Sequence, residues 1–259
     1  MFDLSKIKVK RVLAIGDWHG HYTKVQTALD KAGFNEHDIL ICLGDYTDRG
    51  NENIACMKKV IELNELPNVV MLLGNHEYML LEHFEYCAKH VLNEQITTKD
   101  IDSLDDNILS QIVDTMKRIN TYNHVYLPNG GDTTLAEVNG DSLAVFKKYL
   151  MLIDTFRTKF RLSLNENKYK FLFVHAGINP LKKMNEQTID DYIWIREQFF
   201  SNYHGDTTVV IGHTPVQYVS YSNIPVFSDN NIIFCDTGSY LPNGMVSVVD
   251  ILTEEYWQA

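Results

Sequence analysis

Five short apolar runs in this chain each end in a residue able to ligate a metal, and in four of them a glycine stands directly before it. They read VLAI-Gly16-Asp17, ILICL-Gly44-Asp45, VVMLL-Gly74-Asn75, FLFV-His175 and TVVI-Gly212-His213. β-Branched runs of this length bounded by glycine are the pattern of buried strands, so these residues belong at strand ends. Glycine at such a point lets the backbone turn sharply and approach a ligand closely.

With His19, two residues beyond Asp17, the set comprises Asp17, His19, Asp45, Asn75, His175 and His213. Side chains two apart on extended backbone point the same way, so Asp17 and His19 can face a single ion. Asp45 can bridge two ions through its two oxygens, and Asn75, His175 and His213 can complete the ligand set of the second ion. Oxygen and imidazole ligands without a thiolate suit two divalent cations, manganese first, with iron and zinc also suited.

Residues 11–76 alternate strand (11–15, 38–43, 69–73) with helix (near 21–32 and 51–64), the order of two βαβ units with parallel neighbours. Further strands are expected at 171–175, 207–211, 231–235 and 245–251, the last two as a hairpin across Gly238–Gly244. The fold class expected is α+β, a central mixed β-sandwich flanked by helices. Residues 1–259 read as a single domain with a helical insertion at about 78–170. In that insertion, Ser103 and Asp106 suggest a capping box for a helix reaching Asn120, and Phe146, Tyr149, Leu150, Ile153, Phe156 and Phe160 form a second apolar stripe.

No apolar run approaches the roughly 20 residues that cross a bilayer, and the stretch before Gly16 is too short for a signal-peptide core. The reading is a soluble, cytoplasmic protein. Cys42, Cys56, Cys87 and Cys235 lack metal-finger or redox spacing and are expected to be reduced core thiols. A formal charge of −11 argues against a nucleic-acid partner.

Gly16-Asp-Trp-His-Gly20, Gly44-Asp-Tyr-Thr-Asp-Arg-Gly50 and Gly74-Asn-His-Glu77 resemble the GDxHG, GDxxDRG and GNHE motifs of the phosphoprotein phosphatase family of calcineurin-like metallophosphoesterases. His175-Ala-Gly177 and Gly212-His-Thr-Pro215 are similar to its HAG and GHT elements, and Trp194-Ile-Arg196 to a WxR segment of bacterial and phage members. Asn129-Gly-Gly131, with Thr133 and Thr134 after it, also resembles a segment of the bacterial branch. The resemblance implies one metal on Asp17, His19 and Asp45, and the other on Asp45, Asn75, His175 and His213. It makes His76 the acid that protonates the leaving oxygen, with Asp48 orienting its ring. Arg49 and Arg196 are expected to clamp phosphate through their guanidinium forks, with Asn75 beside them. Glu77 is expected to support the ligands through hydrogen bonds. His21, His37, His83, His90, His124 and His204 carry no motif, and His21 reads as a surface residue.

The activity implied is hydrolysis of phosphomonoesters on a phosphorylated protein or small phosphoester, of the bacterial and phage serine/threonine phosphatase type. A pyrophosphohydrolase acting on dinucleoside polyphosphates or RNA caps shares every ligand named. A non-catalytic scaffold would lack a ligand, the acid or an arginine, and none is missing. The Asn129–Thr134 loop is expected to face the cleft and select the leaving group.

Overall fold

The computed structural model describes residues 10–119, 125–164 and 169–259. Strands β1 (Arg11–Ile15), β2 (Asp38–Cys42) and β3 (Val69–Met71) run parallel, linked by helices α1 (Tyr22–Ala32) and α2 (Asn53–Asn64). β9 (Ser247–Asp250) pairs antiparallel with β1, and β10 (Tyr256–Gln258) pairs with β9, giving the order β10-β9-β1-β2-β3. The second sheet, β4-β5-β6-β8-β7, has parallel β5 (Tyr169–Val174), β6 (Thr208–Ile211) and β8 (Ile232–Phe234). Its edges, β4 (Lys159–Leu164) and β7 (Val226–Ser228), are antiparallel.

Strand alternation separates three apolar layers. Val12, Ala14, Ile39 and Ile41 meet Phe171, Phe173, Val210 and Ile233 between the sheets. Leu13, Ile15, Leu40 and Cys42 face α1, α2 and the helices after β3. Leu172, Val174, Val209 and Ile211 pack outward under α7 (Ile189–Ile193) and α8 (Glu197–Phe200). All four cysteines are buried and free. Among the described residues no helix is long and apolar enough to cross a membrane.

The stretch after β3 carries α3 (Asn75–Leu92), α4 (Asp106–Arg118), α5 (Gly131–Glu137) and α6 (Leu143–Ile153). Asp105, not Ser103, caps α4, its carboxylate accepting from the Ile108 amide at 2.8 Å. Ser103 closes a preceding 3-10 turn and Leu104 is extended, which moves the helix start two residues on. The expected end at Asn120 lies outside the described residues. The second apolar stripe does not stay helical to its end. α6 stops at Ile153, and Phe160 sits in β4, where Phe160 and Leu162 point inward and Lys159, Arg161 and Ser163 outward. Nor do the strands near 231–235 and 245–251 form a hairpin, because β8 pairs with β6 and β7 while β9 pairs with β1 and β10. The segment between them carries the chain from one sheet to the other.

Candidate metal centre

The carboxyl ends of the parallel strands of both sheets open on one rim. Asp17 and His19 follow β1, Asp45 follows β2, Asn75 opens α3 after β3, His175 follows β5 and His213 follows β6. His19, Asp45 and His213 are in the left-handed region, with φ of 43°, 55° and 61°. This conformation ends the strand abruptly and turns the side chain over the rim. Gly44 and Gly74 let two neighbouring turns touch, since a Cβ on Gly44 would lie 2.7 Å from the Gly74 Cα.

All six expected ligands are brought together and are at most 5% exposed. His19 Nε2 is 3.7 Å from Asp45 Oδ2 and 3.9 Å from Asp17 Oδ2. His175 turns Nδ1 to the Leu43 carbonyl at 2.8 Å, so its Nε2 faces Asn75 Oδ1 at 2.9 Å and Asp45 Oδ1 at 3.3 Å. Likewise His19 Nδ1 meets the Thr47 carbonyl at 3.3 Å, directing Nε2 inward. In neutral imidazoles so oriented, the inward nitrogens are lone pairs aimed at carboxylate and amide oxygens. Buried acceptors converging in this way suit a cation among them, and at His19 Nε2 the Arg49 guanidinium supplies one in this structure. His213 Nε2 is buried without a hydrogen-bond partner, a further donor atom suited to one. The residues therefore fit two divalent ions sharing Asp45, and Asp45, His175 and His213 are one close-set trio.

The charge states agree with that fit. Burial pushes His19 and His213 well below the usual imidazole range, leaving the neutral form that ligates metals. Burial alone would raise Asp45, yet the neighbouring His175 and His76 hold its carboxyl well below the usual range. Burial, then the charges of Asp236 and Asp45, raise Asp17 well above that range. Glu77 accepts from the amides of Asp45 (2.8 Å), Tyr46 (2.9 Å) and Gly74 (3.2 Å) and from the Tyr149 hydroxyl (2.9 Å), so it braces the turn that carries Asp45.

His76, buried on the first turn of α3, bonds Asp48 Oδ2 through Nδ1 at 2.8 Å and turns Nε2 toward Asp45 Oδ2 at 3.8 Å. Burial opposes protonation of the ring, but Asp45 and the hydrogen bond and charge of Asp48 outweigh it and raise the pKa. The Nε2 atom also lies close to His19 and Asp45, so position alone permits ligation as well as proton transfer. Arg49 spans the opening, with Nη1 3.0 Å from His19 Nε2 and Nη2 3.1 Å from His76 Nε2. Arg196 Nη1 donates to the His213 carbonyl (3.1 Å) and the Thr214 hydroxyl (2.9 Å), which brings it to the far side of the same rim.

Several contributors were not read from the sequence. Asp236 is fully buried directly beyond β8, with Oδ1 accepting from the Gly238 amide at 2.8 Å and Oδ2 unpartnered. Its signal was available, because IIFC-Asp236 repeats the pattern of an apolar run ending in a ligand. Tyr240 lies 4.1 Å below the Arg49 guanidinium and packs edge-on to His19, with ring centroids 4.9 Å apart. His21 is half-buried rather than superficial and bonds the His19 carbonyl at 2.7 Å. His37, His90 and His204 are exposed, buried His83 bonds the Met116 carbonyl, and His124 lies outside the described residues.

The sequence pattern of the calcineurin-like phosphoesterases matches residues 10–238. Serine/threonine-protein phosphatase 2 of Salmonella typhimurium is 34% identical over 84 residues, covering 32% of this chain and 37% of that protein. The symmetrical bis(5'-nucleosyl)-tetraphosphatase of Shewanella frigidimarina is 31% identical over 137 residues, 50% of each protein. The chain thus spans half or less of the length of these relatives. The solved structure of a candidate diadenosine tetraphosphatase overlays 98% of this chain and 94% of its own at a TM-score of 0.61 and 16% identity, a likeness of fold. On the extent of the family match, this chain belongs to the calcineurin-like phosphoesterases.

Proposed function

We propose that this chain is a binuclear metal-dependent phosphoesterase that hydrolyses phosphomonoesters on serine and threonine of proteins. The observation that carries the reading is the cluster of His19, His175 and His213 around Asp45, with Asp17 beside His19, Asn75 beside His175, and a guanidinium and a histidine–carboxylate pair on the same rim. Asp17, His19 and Asp45 would hold one ion, and Asp45, Asn75, His175 and His213 the other. Two such ions supply Lewis acidity toward the phosphoryl group and the attacking water. Manganese suits this ligand set, as do iron and zinc.

The chain's own residues do the rest. Arg49 binds two phosphoryl oxygens through its fork, and Arg196, whose Nη1 is engaged by His213 and Thr214, offers its remaining donors to a third. Asn75, whose Oδ1 lies 2.9 Å from His175 Nε2, would hold the second ion through that oxygen and offer its NH₂ to the phosphate. His76 gives its Nε2 proton to the departing oxygen, while Asp48 holds Nδ1 and keeps the ring protonated and aimed. Four buried free thiols suit residence in the reducing cytoplasm.

A second reading, cleavage of dinucleoside polyphosphates, is favoured by the tetraphosphatase relative that matches half of this chain. Turnover of p-nitrophenyl phosphate with Mn²⁺, followed by phosphoserine peptides against diadenosine tetraphosphate, separates the two. Faster turnover of the dinucleotide would replace the protein substrate, and inertness toward all three would end the phosphoesterase reading.

A further inference from the structure

Asp48 and Arg49 are consecutive, neither is glycine, and both are in the left-handed region, at φ of 77° and 68°. A Cβ resists this conformation, so a pair held in it needs external support. Asn53 Oδ1 accepts from the Asp48 amide at 2.7 Å, and the rest of the side-chain support comes from one turn, 78 to 86 residues further along the chain. Thr134 Oγ1 donates to Asp48 Oδ1 at 2.5 Å and accepts from the Asp48 amide at 3.0 Å. The Tyr126 hydroxyl donates to the same oxygen at 3.0 Å. Two donors on Oδ1 leave Oδ2 to face His76 Nδ1.

The same turn orients Arg49. The Gly130 carbonyl accepts from the Arg49 amide at 3.1 Å, and the Asn129 carbonyl from Nε at 3.3 Å. Gly130 has φ 101°, and a Cβ there would come within 2.6 Å of Arg49 Cγ. A Cβ on Gly131 would strike the Tyr126 ring at 2.4 Å. Asp48, Tyr126 and Thr134 are at most 1% exposed, so water cannot replace these bonds.

We propose that the Tyr126–Thr134 turn is the positioning device of the Asp48–Arg49 pair. Its hydroxyls decide which Asp48 oxygen His76 meets, and its carbonyls decide where the Arg49 fork points. This inference rests on the phosphoesterase reading and gives the insertion a role in assembling the site, where the sequence suggested substrate selection.

The test uses the full-length, metal-loaded protein on p-nitrophenyl phosphate, which needs little leaving-group protonation, and on a phosphoserine peptide, which needs much. Thr134→Val is expected to lower kcat ~10-fold on the peptide and no more than ~3-fold on the aryl ester, with KM little moved. Thr134→Ser, which keeps the hydroxyl, should recover most of the loss. In a His76→Asn background, Thr134→Val should add less than ~2-fold, because the path through His76 is already gone. Gly130→Ala should instead weaken competitive inhibition by inorganic phosphate ~10-fold, through Arg49. Tyr126→Phe keeps the ring against Gly131 and carries the same ester comparison should Thr134→Val not fold. Equal losses on both esters, or losses that multiply with His76→Asn, would overturn the inference and leave the phosphoesterase reading standing. A wild-type protein inert toward both esters overturns the two together.

Discussion

Replacing Asp236 with asparagine is expected to stabilise the metal-stripped protein, and only at the upper end of the pH range. Asp236 is fully buried, and one of its oxygens has no hydrogen-bond partner. Burial, with the charge of Asp45 added, pushes its carboxyl from 3.8 up to about 6, against the opposing hydrogen bond from Gly238. A rise of about two units corresponds to roughly 3 kcal/mol. The folded state thus binds this proton more tightly than the unfolded chain. Its contribution to stability is fully present below pH 3.8 and is lost as pH rises through about 6. Asparagine keeps the acceptor for Gly238 and carries no charge. The difference between variant and wild type should therefore be near zero at pH 4 and about 3 kcal/mol at pH 8. For a chain of this size that corresponds to a melting-temperature gain of roughly 6–12 °C. Asp17, raised by burial and then by the charge of Asp236, is relieved by the same substitution and adds to the gain at high pH. His19 and His213, depressed by burial, impose an opposite slope on each protein that the comparison removes. Urea or thermal denaturation of both proteins in EDTA at the two pH values measures the effect. Excess Mn²⁺ should abolish or reverse the gain, because bound cations offset the carboxylates. A gain that is equal at pH 4 and pH 8, or absent at both, would refute the assignment of a strained, charged Asp236.

His76→Asn is expected to lower kcat by ~10² or more on a phosphoserine peptide, with a smaller loss on p-nitrophenyl phosphate, while metal content by elemental analysis stays at the wild-type level. Loss of bound metal in that variant would make His76 a ligand. Arg196→Ala should chiefly raise KM, whereas Arg49→Ala should lower kcat and raise KM, because Arg49 lies nearer the acid; steady-state kinetics distinguish the two. Glu77→Gln sets an amide NH₂ against backbone donors and should cost ~1–3 kcal/mol in urea denaturation, with weaker metal binding through the displaced Asp45 turn; unchanged metal affinity would confine Glu77 to a role in folding.

How far the fold can be read from the sequence depends on how local its signals are. β1, β2, β3, β5 and β6 are apolar on both faces and ended by glycine or a ligand, so they stand out without knowledge of their neighbours. β7 and β10 have three residues each and carry no periodicity to detect. β4 was hidden because Phe156 and Phe160 continue the spacing of α6, although the residues between them leave the helix. The partners of β8 and β9 could not be read at all. Sheet membership follows from long-range pairing, and nothing in Gly238–Gly244 says whether the chain turns back or crosses over.

The site divides in the same way. Its six candidate ligands follow from a rule about strand ends, and the rule extends to Asp236. What holds them does not follow, because local preference argues against the structure: His19, Asp45, Asp48, Arg49 and His213 all adopt left-handed backbone although each carries a Cβ. At roughly 1–2 kcal/mol per residue, five such positions cost about 5–10 kcal/mol. That approaches the whole net stability of a typical domain, roughly 5–15 kcal/mol. The offset has to come from buried contacts made across the chain. Glu77 bonds the amides of the Asp45 turn, Thr134 and Tyr126 hold Asp48, Gly130 holds Arg49, and Asp17 accepts the His213 amide through both oxygens. These residues lie 31 to 196 positions from the groups they hold. A sequence can therefore display a metal centre's ligands in plain order while its supports emerge only when the segment after β3 packs on the first sheet and the second sheet closes over it.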